Sequence, residues 1–183
     1  MTQTIAAPRT AAFVMAAGCV LLVARPVLIT GGPPVVVLAT VFLTLLVVGG
    51  AWPGAGAQAE VSRDVPSTLL LGLGAFVVAR VLGGGHAPHA PVARLLLLNS
   101  CAAIAEEAFF RRFVYRLLEP ANAAVAVLGS AMLFAIVHVT VYGLWVLPID
   151  LAAGLILSWQ RWASGTWRVP AVTHVLANVL VVI

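Results

Sequence analysis

Glu106 and Glu107 are adjacent acidic residues in an otherwise apolar stretch, directly before Ala108-Phe109-Phe110. Carboxylates near a bilayer core cost roughly 3 kcal/mol each on insertion scales, so they need a partner or a water-filled cavity. On a helix, Glu107 and Arg111 have the i, i+4 spacing that favours an ion pair, whereas Glu106 points about 100° away. We therefore predict that Glu107 pairs with Arg111 and that Glu106 is left free to accept a proton as a general base.

Two histidines occur inside later apolar runs. His138 follows Phe134 by one helical turn, and His174 shares a helix face with Asn178. Taken singly, an intramembrane histidine is often an interhelical hydrogen-bond partner and nothing more. Together with the acidic pair, these side chains supply a base, oriented donors and potential metal ligands. Asp150 is ambiguous, since it could line the same cavity or act at a helix N-terminus.

The spacing along the chain predicts which of these residues meet. A turn is predicted at Pro120-Ala121-Asn122, and residue 122 is midway between positions 106 and 138. An antiparallel helical hairpin therefore places Glu106 and His138 at the same depth. The same arithmetic, with the rise of an α-helix, places His174 about 12 Å from that level. The meeting of Glu106 with His138 is thus predicted directly, and that of His174 is not.

The composition decides the class of protein that must position these residues. Of 183 residues, 62% are hydrophobic and 9% are charged, and the mean hydropathy is +1.10. Soluble domains carry about 25% charged residues, so a disordered, nucleic-acid-binding or ordinary cytosolic protein is excluded. At about 20 residues per span, the chain has room for about seven spans and no separate soluble domain. We predict an all-α fold, a polytopic transmembrane helical bundle.

Apolar runs between glycines, prolines and charge clusters define the seven predicted spans. Their bounds are Ala11–Thr30, Pro34–Trp52, Ser67–Leu82, Val92–Pro120, Ala121–Val141, Trp145–Gln160 and Val169–Ile183. The C-terminal part of the fourth span is too charged for lipid, because it contains Arg111, Arg112 and Arg116. We expect that part to protrude from the membrane or to face protein.

The ten basic residues are all arginines near predicted helix ends, and we interpret them as topology signals. An alternating path with the N-terminus inside leaves Arg25, Arg80 and Arg94 on the outer side. The other seven lie on the cytoplasmic side: Arg9, Arg63, Arg111, Arg112, Arg116, Arg161 and Arg168. This bias predicts a multi-pass protein of the cell membrane with a cytoplasmic N-terminus. The Arg-only, Ala- and Val-rich composition is typical of a bacterial protein.

Three short segments occur in a fixed order: Glu106-Glu107-Ala-Phe-Phe-Arg111, Phe134-Ala-Ile-Val-His138 and His174-Val-Leu-Ala-Asn178. In order and spacing they resemble the EExxxR, FxxxH and HxxxN motifs of the CPBP family, the CAAX protease and bacteriocin-processing (Abi-type) intramembrane proteases. The resemblance covers about residues 92–183. It predicts a CPBP-like catalytic membrane domain of four spans there, and three N-terminal spans without a recognised motif in residues 1–91.

The resemblance implies an intramembrane endopeptidase that hydrolyses a peptide bond of a membrane-associated protein or peptide. Glu106 would activate the water with help from His138, while Glu107 and Arg111 would orient the site. His174 and Asn178 would stabilise the oxyanion or help to bind a metal. The expected partners are membrane lipids and a membrane-anchored substrate, without nucleic acid, and the sequence leaves the oligomeric state open.

The sequence leaves two catalytic types open. A metalloprotease would use His138 and His174 as ligands of one divalent metal such as zinc, with a glutamate completing an open tetrahedral site. A glutamate-type peptidase would use the same residues without a metal. We favour the glutamate type, because the amide of Asn178 is a poor zinc ligand and a good oxyanion donor.

Two other functions remain as alternatives. A non-catalytic membrane scaffold or bacteriocin-immunity protein could share the fold, and its shape would then matter instead of water activation. A small transporter or proton relay could use the same glutamate and histidine chain. The transporter alternative predicts inverted repeats with broken helices, and the sequence shows no such symmetry.

Overall fold

The computed structural model describes residues 8–52, 64–83 and 92–182, and within these ranges the chain is helical and contains no strand. The helices are α1 (Pro8–Thr30), α2 (Pro34–Ala51), α3 (Val65–Gly83), α4 (Val92–Glu107), α5 (Tyr115–Leu118), α6 (Ala123–Tyr142), α7 (Leu147–Ser164) and α8 (Arg168–Val182). A π-helical segment, Ala108–Val114, joins α4 to α5 without a break, and a 3₁₀ turn, Leu144–Val146, precedes α7. The described residues therefore form seven continuous helices.

The predicted helical membrane bundle is confirmed, and each predicted span corresponds to one continuous helix. Four of the described helices, α1, α2, α3 and α6, are long and apolar enough to cross a membrane. The other three are shorter or more polar: α8 has 15 residues, and α7 contains Asp150 and Arg161. These three also carry most of the predicted site residues, whose polar side chains lower the hydropathy of the helices.

The first part of the charged end of the fourth predicted span, around Arg111, is packed inside the protein. Phe109, Phe110 and Phe113 are buried in the core of the bundle, and Arg111 is fully buried among them. Helices α2 and α6 both pack against the π segment. Of the two outcomes that we expected for this part of the chain, the structure shows contact with protein.

Side chains from two neighbouring helices bind the backbone of the π segment. The Ser130 hydroxyl of α6 donates to the Phe110 carbonyl at 3.0 Å, and Arg161 Nε of α7 donates to the Arg111 carbonyl at 3.0 Å. A π segment is a widened helical turn that is rare and frequent at functional sites. Both bonds hold the widened turn directly after the acidic pair, so they help to set where Glu106 and Glu107 point.

Glycines allow two pairs of helices to approach closely at this level. Gly49 of α2 lies against the backbone of Ala108, and Gly154 of α7 lies against the backbone of Ala131 in α6. Small residues at helix interfaces are common in membranes, where van der Waals packing and interhelical hydrogen bonds drive association. Helix α2 therefore packs closely on the turn that follows the acidic pair, and α7 packs closely on α6.

Local signals define where the helices begin and end. The predicted turn before α6 is confirmed: the Asn122 side chain accepts a hydrogen bond of 2.8 Å from the first turn of α6. Gly143 and Gly165, with φ of 89° and 73°, end α6 and α7. At the start of α3, hydrogen bonds from the Ser67 side chain and backbone lower the pKa of Asp64 below its usual range.

Three of the arginines that we interpreted as topology signals lie inside the protein, so that interpretation is wrong for them. Arg25, Arg111 and Arg161 are 5%, 0% and 3% exposed, respectively. Each binds a carboxylate or a backbone carbonyl of another helix turn, which explains why it is buried. Without them, five arginines remain on the predicted cytoplasmic side and two on the other, so the bias keeps its direction and the orientation stays a prediction.

The contact of α2 with the π segment is testable at Gly49. A Cβ there would overlap the Ala108 carbonyl group. Overpacking costs about 1–3 kcal/mol, so we expect Gly49→Ala to lower the free energy of unfolding by about 2 kcal/mol. Gly50 meets no atom of the described residues within 4 Å. Gly50→Ala is the matched control and should leave stability unchanged or raise it by up to about 1 kcal/mol. Equal effects of the two substitutions on unfolding in detergent would contradict this packing.

Candidate active site

The predicted ion pair between Glu107 and Arg111 is confirmed. Arg111 Nη1 lies 3.1 Å from Glu107 Oε1, and both side chains are fully buried. Arg111 Nη2 also donates to the Gly154 carbonyl at 3.1 Å, and the guanidinium lies 4.5 Å from the centre of the Phe134 ring. Arg111 thus neutralises one acid and links the π segment to α6 and α7.

Glu106 and His138 meet as the hairpin arithmetic predicted. His138 Nε2 lies 3.7 Å from Glu106 Oε1, and the two side chains are 10% and 6% exposed. His138 Nδ1 lies 2.7 Å from the Phe134 carbonyl. Because a carbonyl only accepts hydrogen bonds, Nδ1 carries a proton in this contact, and a neutral ring would then present the lone pair of Nε2 towards Glu106.

His174 joins the site through the second acid. Its Nδ1 donates to Glu107 Oε1 at 3.0 Å. The depth expected from alternating spans and the rise of an α-helix had placed His174 about 12 Å from the level of Glu106 and His138. The expected depth of His174 was wrong because α8 packs directly against α4 and brings His174 to that helix. The Phe134 ring packs against both imidazoles, with centroid distances of 4.6 Å to His138 and 5.8 Å to His174.

Asn178 lies one turn beyond His174 on α8, and its side chain bonds elsewhere. Its Nδ2 donates to the Asn99 carbonyl of α4 at 3.2 Å. Asn99 precedes Glu106 by about two helical turns. The structure therefore brings together Glu106, Glu107, Arg111, His138 and His174, and it places Asn178 beside them without a bond to either acid.

Two further charged residues face the Glu106–His138 pair. Arg25 of α1 is buried, and its Nη1 lies 3.4 Å from Glu106 Oε1. Asp150 Oδ2 of α7 lies 3.9 Å from His138 Nδ1, although Asp150 is also in the first turn of its helix. The helical spacing did not identify an ion-pair partner for Glu106, and the structure shows Arg25 in that place. Sequence reasoning missed Arg25 because it treated this residue as a topology marker, whereas an arginine inside an apolar run is a functional signal by itself.

The donor set of the described residues does not fit the zinc site that would use His138 and His174. These residues contain no group of three or more His, Cys, Asp or Glu side chains placed to hold one metal ion. Guanidinium groups lie beside both glutamates, which disfavours a metal cation at these carboxylates. The histidines alone do not decide the question, because both bind protein oxygens through Nδ1, as zinc-ligating histidines commonly do. A catalytic zinc takes three protein ligands, and cations already lie beside the carboxylates. What the geometry does provide is two acid–histidine pairs, Glu106 with His138 and Glu107 with His174.

The fold and the site together are those of a polytopic membrane protein whose ionisable residues converge inside the bundle. A family model described as type II CAAX prenyl endopeptidase Rce1-like matches residues 88–180, about half of the chain. The chain belongs to this family, in agreement with the resemblance to CPBP intramembrane proteases, and the family is one of CAAX-protease-type membrane endopeptidases. Comparison with curated proteins and with solved structures found no match.

The contribution of Arg111 to stability can be compared with that of a partly exposed arginine, Arg116. Removing one member of a fully buried pair leaves an uncompensated charge, so we expect Arg111→Gln to lower the free energy of unfolding by about 3–5 kcal/mol. Arg116 pairs with Glu119 at 2.5 Å, with side chains 24% and 29% exposed. Arg116→Gln should cost less than about 1 kcal/mol. Unfolding of both variants in the same detergent is the measurement, and similar losses would show that Arg111 is not the buried partner of Glu107.

Proposed function

We propose that this protein is a glutamate-type intramembrane endopeptidase in which Glu106 is the general base. The observation that carries the proposal is the approach of Glu106 Oε1 to His138 Nε2 at 3.7 Å inside a buried site. This gap is too long for a direct hydrogen bond, and a water molecule can bridge polar atoms at such a distance. Membership of a family of membrane endopeptidases supports the same reaction class.

The first step is the activation of that water. A water between the two side chains would donate one hydrogen to the Glu106 carboxylate and the other to the lone pair of His138 Nε2. Its own lone pair would then point away from both groups, towards a substrate carbonyl. As the oxygen attacks the carbonyl carbon, Glu106 takes the proton, and it later gives this proton to the leaving amine. Asp150, near Nδ1, would help to keep His138 in this orientation.

The second pair would stabilise the tetrahedral intermediate. His174 donates from Nδ1 to Glu107. When its ring is protonated, His174 can also donate from Nε2 to the developing oxyanion. Asn178 lies on the same face of α8, and its second amide hydrogen would be a further donor to the same oxygen. Glu107 and Arg111 are then positioning residues for this half of the site.

The substrate is proposed to be a membrane-associated protein or peptide that reaches the site from the lipid. Tyr142, which is 54% exposed, stacks on His138 with a ring distance of 6.1 Å and an interplanar angle of 6°. Trp145 is exposed near the same end of α6. These aromatic side chains would form the rim past which a peptide approaches Glu106.

The orientation and the division of the chain are further parts of the proposal. The arginine bias supports a multi-pass protein of the cell membrane with a cytoplasmic N-terminus. Residues 92–183 would form the catalytic membrane domain, and residues 1–91 the N-terminal group of spans. Packing crosses this boundary, since buried residues of α1 and α2 belong to the same core as Phe109 and Phe134.

Glu106→Gln should abolish cleavage, by at least about 100-fold in kcat, because an amide cannot accept the proton. The rate of cleavage can be measured in proteoliposomes, with a farnesylated CAAX peptide and with an unmodified apolar peptide as substrates. New peptide termini in membranes of producing cells give a second measurement that requires no substrate to be chosen. Glu119→Gln, at a half-buried surface pair, is the control and should cleave normally.

A folded Glu106→Gln protein that produces the same termini as the wild type would contradict the base assignment. If membranes from cells producing the wild type and the variant contain the same peptide termini, and neither protein cleaves the peptides in proteoliposomes, the non-catalytic scaffold or immunity function is favoured.

Metal dependence is tested separately. Because an acid–histidine pair such as Glu106 with His138 can activate water without a metal, we expect cleavage to persist in EDTA and in 1,10-phenanthroline, and purified active protein to contain less than about one tenth of a zinc ion per chain. Loss of activity in chelator with recovery on adding zinc would instead assign His138 and His174 as metal ligands.

A further inference from the structure

Arg25 is a charged residue inside an apolar helix, five positions before the last residue of that helix. Helix α1 runs through Pro26 to Thr30, and Arg25 is buried within it. A buried guanidinium in a membrane span is costly unless a partner compensates for it. The partner is Glu106, whose Oε1 lies 3.4 Å from Arg25 Nη1. This contact joins residues 81 positions apart in the sequence.

The rest of α1 is arranged to deliver Arg25 to this place. Ala11 and Leu22 are buried, and a Cβ at Gly18 would overlap the Phe109 ring. Residues 11, 18, 22 and 25 are separated by seven, four and three positions, which places them on one helical stripe. Most other side chains of α1 are exposed on the outer surface of the bundle. The inward stripe therefore leads along the core to the carboxylate of Glu106.

Arg25 and His138 approach the same oxygen atom. Arg25 Nη1 and His138 Nε2 lie 3.4 Å and 3.7 Å from Glu106 Oε1. Two contacts at one oxygen restrict rotation of the carboxylate group and leave Oε2 without a hydrogen bond among the described residues. A general base works only when its oxygen is aimed at the proton that it accepts, and a misplacement of about 1 Å can cost 100-fold in rate.

We propose that Arg25 is a positioning residue for the general base, so that α1 completes a catalytic site whose other members lie within the region matched by the family model, residues 88–180. This inference rests on the proposed function, because it assigns a role in the reaction of Glu106. It also gives α1, one of the N-terminal spans, a task in positioning the base, in addition to its contribution to the core.

The experiment measures kcat and KM of full-length protein in proteoliposomes, with a peptide that the wild type cleaves and Glu106→Gln does not. We expect Arg25→Gln to lower kcat about 100-fold with KM within about twofold of the wild type. Arg25→Lys should recover part of the loss, to about 10-fold below the wild type, because it keeps the charge without the planar guanidinium. Arg80→Gln is the control, since Arg80 of α3 donates to the Leu180 carbonyl of α8, and its kcat should stay normal.

A folded Arg25→Gln protein with wild-type kcat would overturn the inference, as would equal kcat values for Arg25→Gln and Arg25→Lys. If Arg25→Gln does not fold, Arg25→Lys decides alone: a reduced kcat with unchanged KM supports the inference, and a wild-type kcat or a raised KM with unchanged kcat overturns it. A Glu106→Gln protein that still cleaves would instead contradict the proposed function, so the two failures are distinguishable.

Discussion

Two adjacent carboxylates buried in a membrane bundle are the constraint on which the rest of this structure depends. In a medium of low dielectric constant, an ionised carboxylate needs an opposite charge and hydrogen bonds close to it. Glu107 has Arg111 one helical turn away, and Glu106 has Arg25 from another helix. The neighbouring elements are arranged around these two pairs: Gly154 accepts from Arg111, and Gly18 allows α1 to approach the core.

The same constraint divides the site into two halves with different chemistry. Glu107 is fully buried, binds Arg111 and accepts from His174, which agrees with the positioning role proposed for it. Glu106 has a looser contact with Arg25 and faces His138 across a gap of 3.7 Å that a water can bridge. Neighbouring residues of a helix point about 100° apart, so Glu106 and Glu107 face different partners and can have different proposed roles. The Phe134 ring packs against both imidazoles, so an apolar side chain lies where the two halves of the site meet.

The parts of the site that follow from local spacing could be predicted from the sequence. The pairing of Glu107 with Arg111 follows from the i, i+4 rule, and the meeting of Glu106 with His138 follows from the midpoint of a helical hairpin. The contact of His174 with Glu107 could not be derived, because it depends on which helices pack together. The π segment after Glu107 has no recognisable sequence signal, since its carbonyls are bound by Ser130 and Arg161 from distant parts of the chain. Arg25 was misassigned because charge near a predicted helix end has two explanations, and only packing distinguishes them.

The central claim is that Arg25 and Glu106 are a coupled pair inside the bundle, and a double-mutant cycle on unfolding tests it most directly. The free energies of unfolding of the wild type, Arg25→Gln, Glu106→Gln and the double variant would be measured in one detergent. Either single substitution leaves a buried charge without its partner, whereas the double variant leaves none. We predict that the double variant is more stable than the sum of the single losses implies, by about 1–3 kcal/mol. Additive losses, with a coupling energy below about 0.5 kcal/mol, would contradict the account.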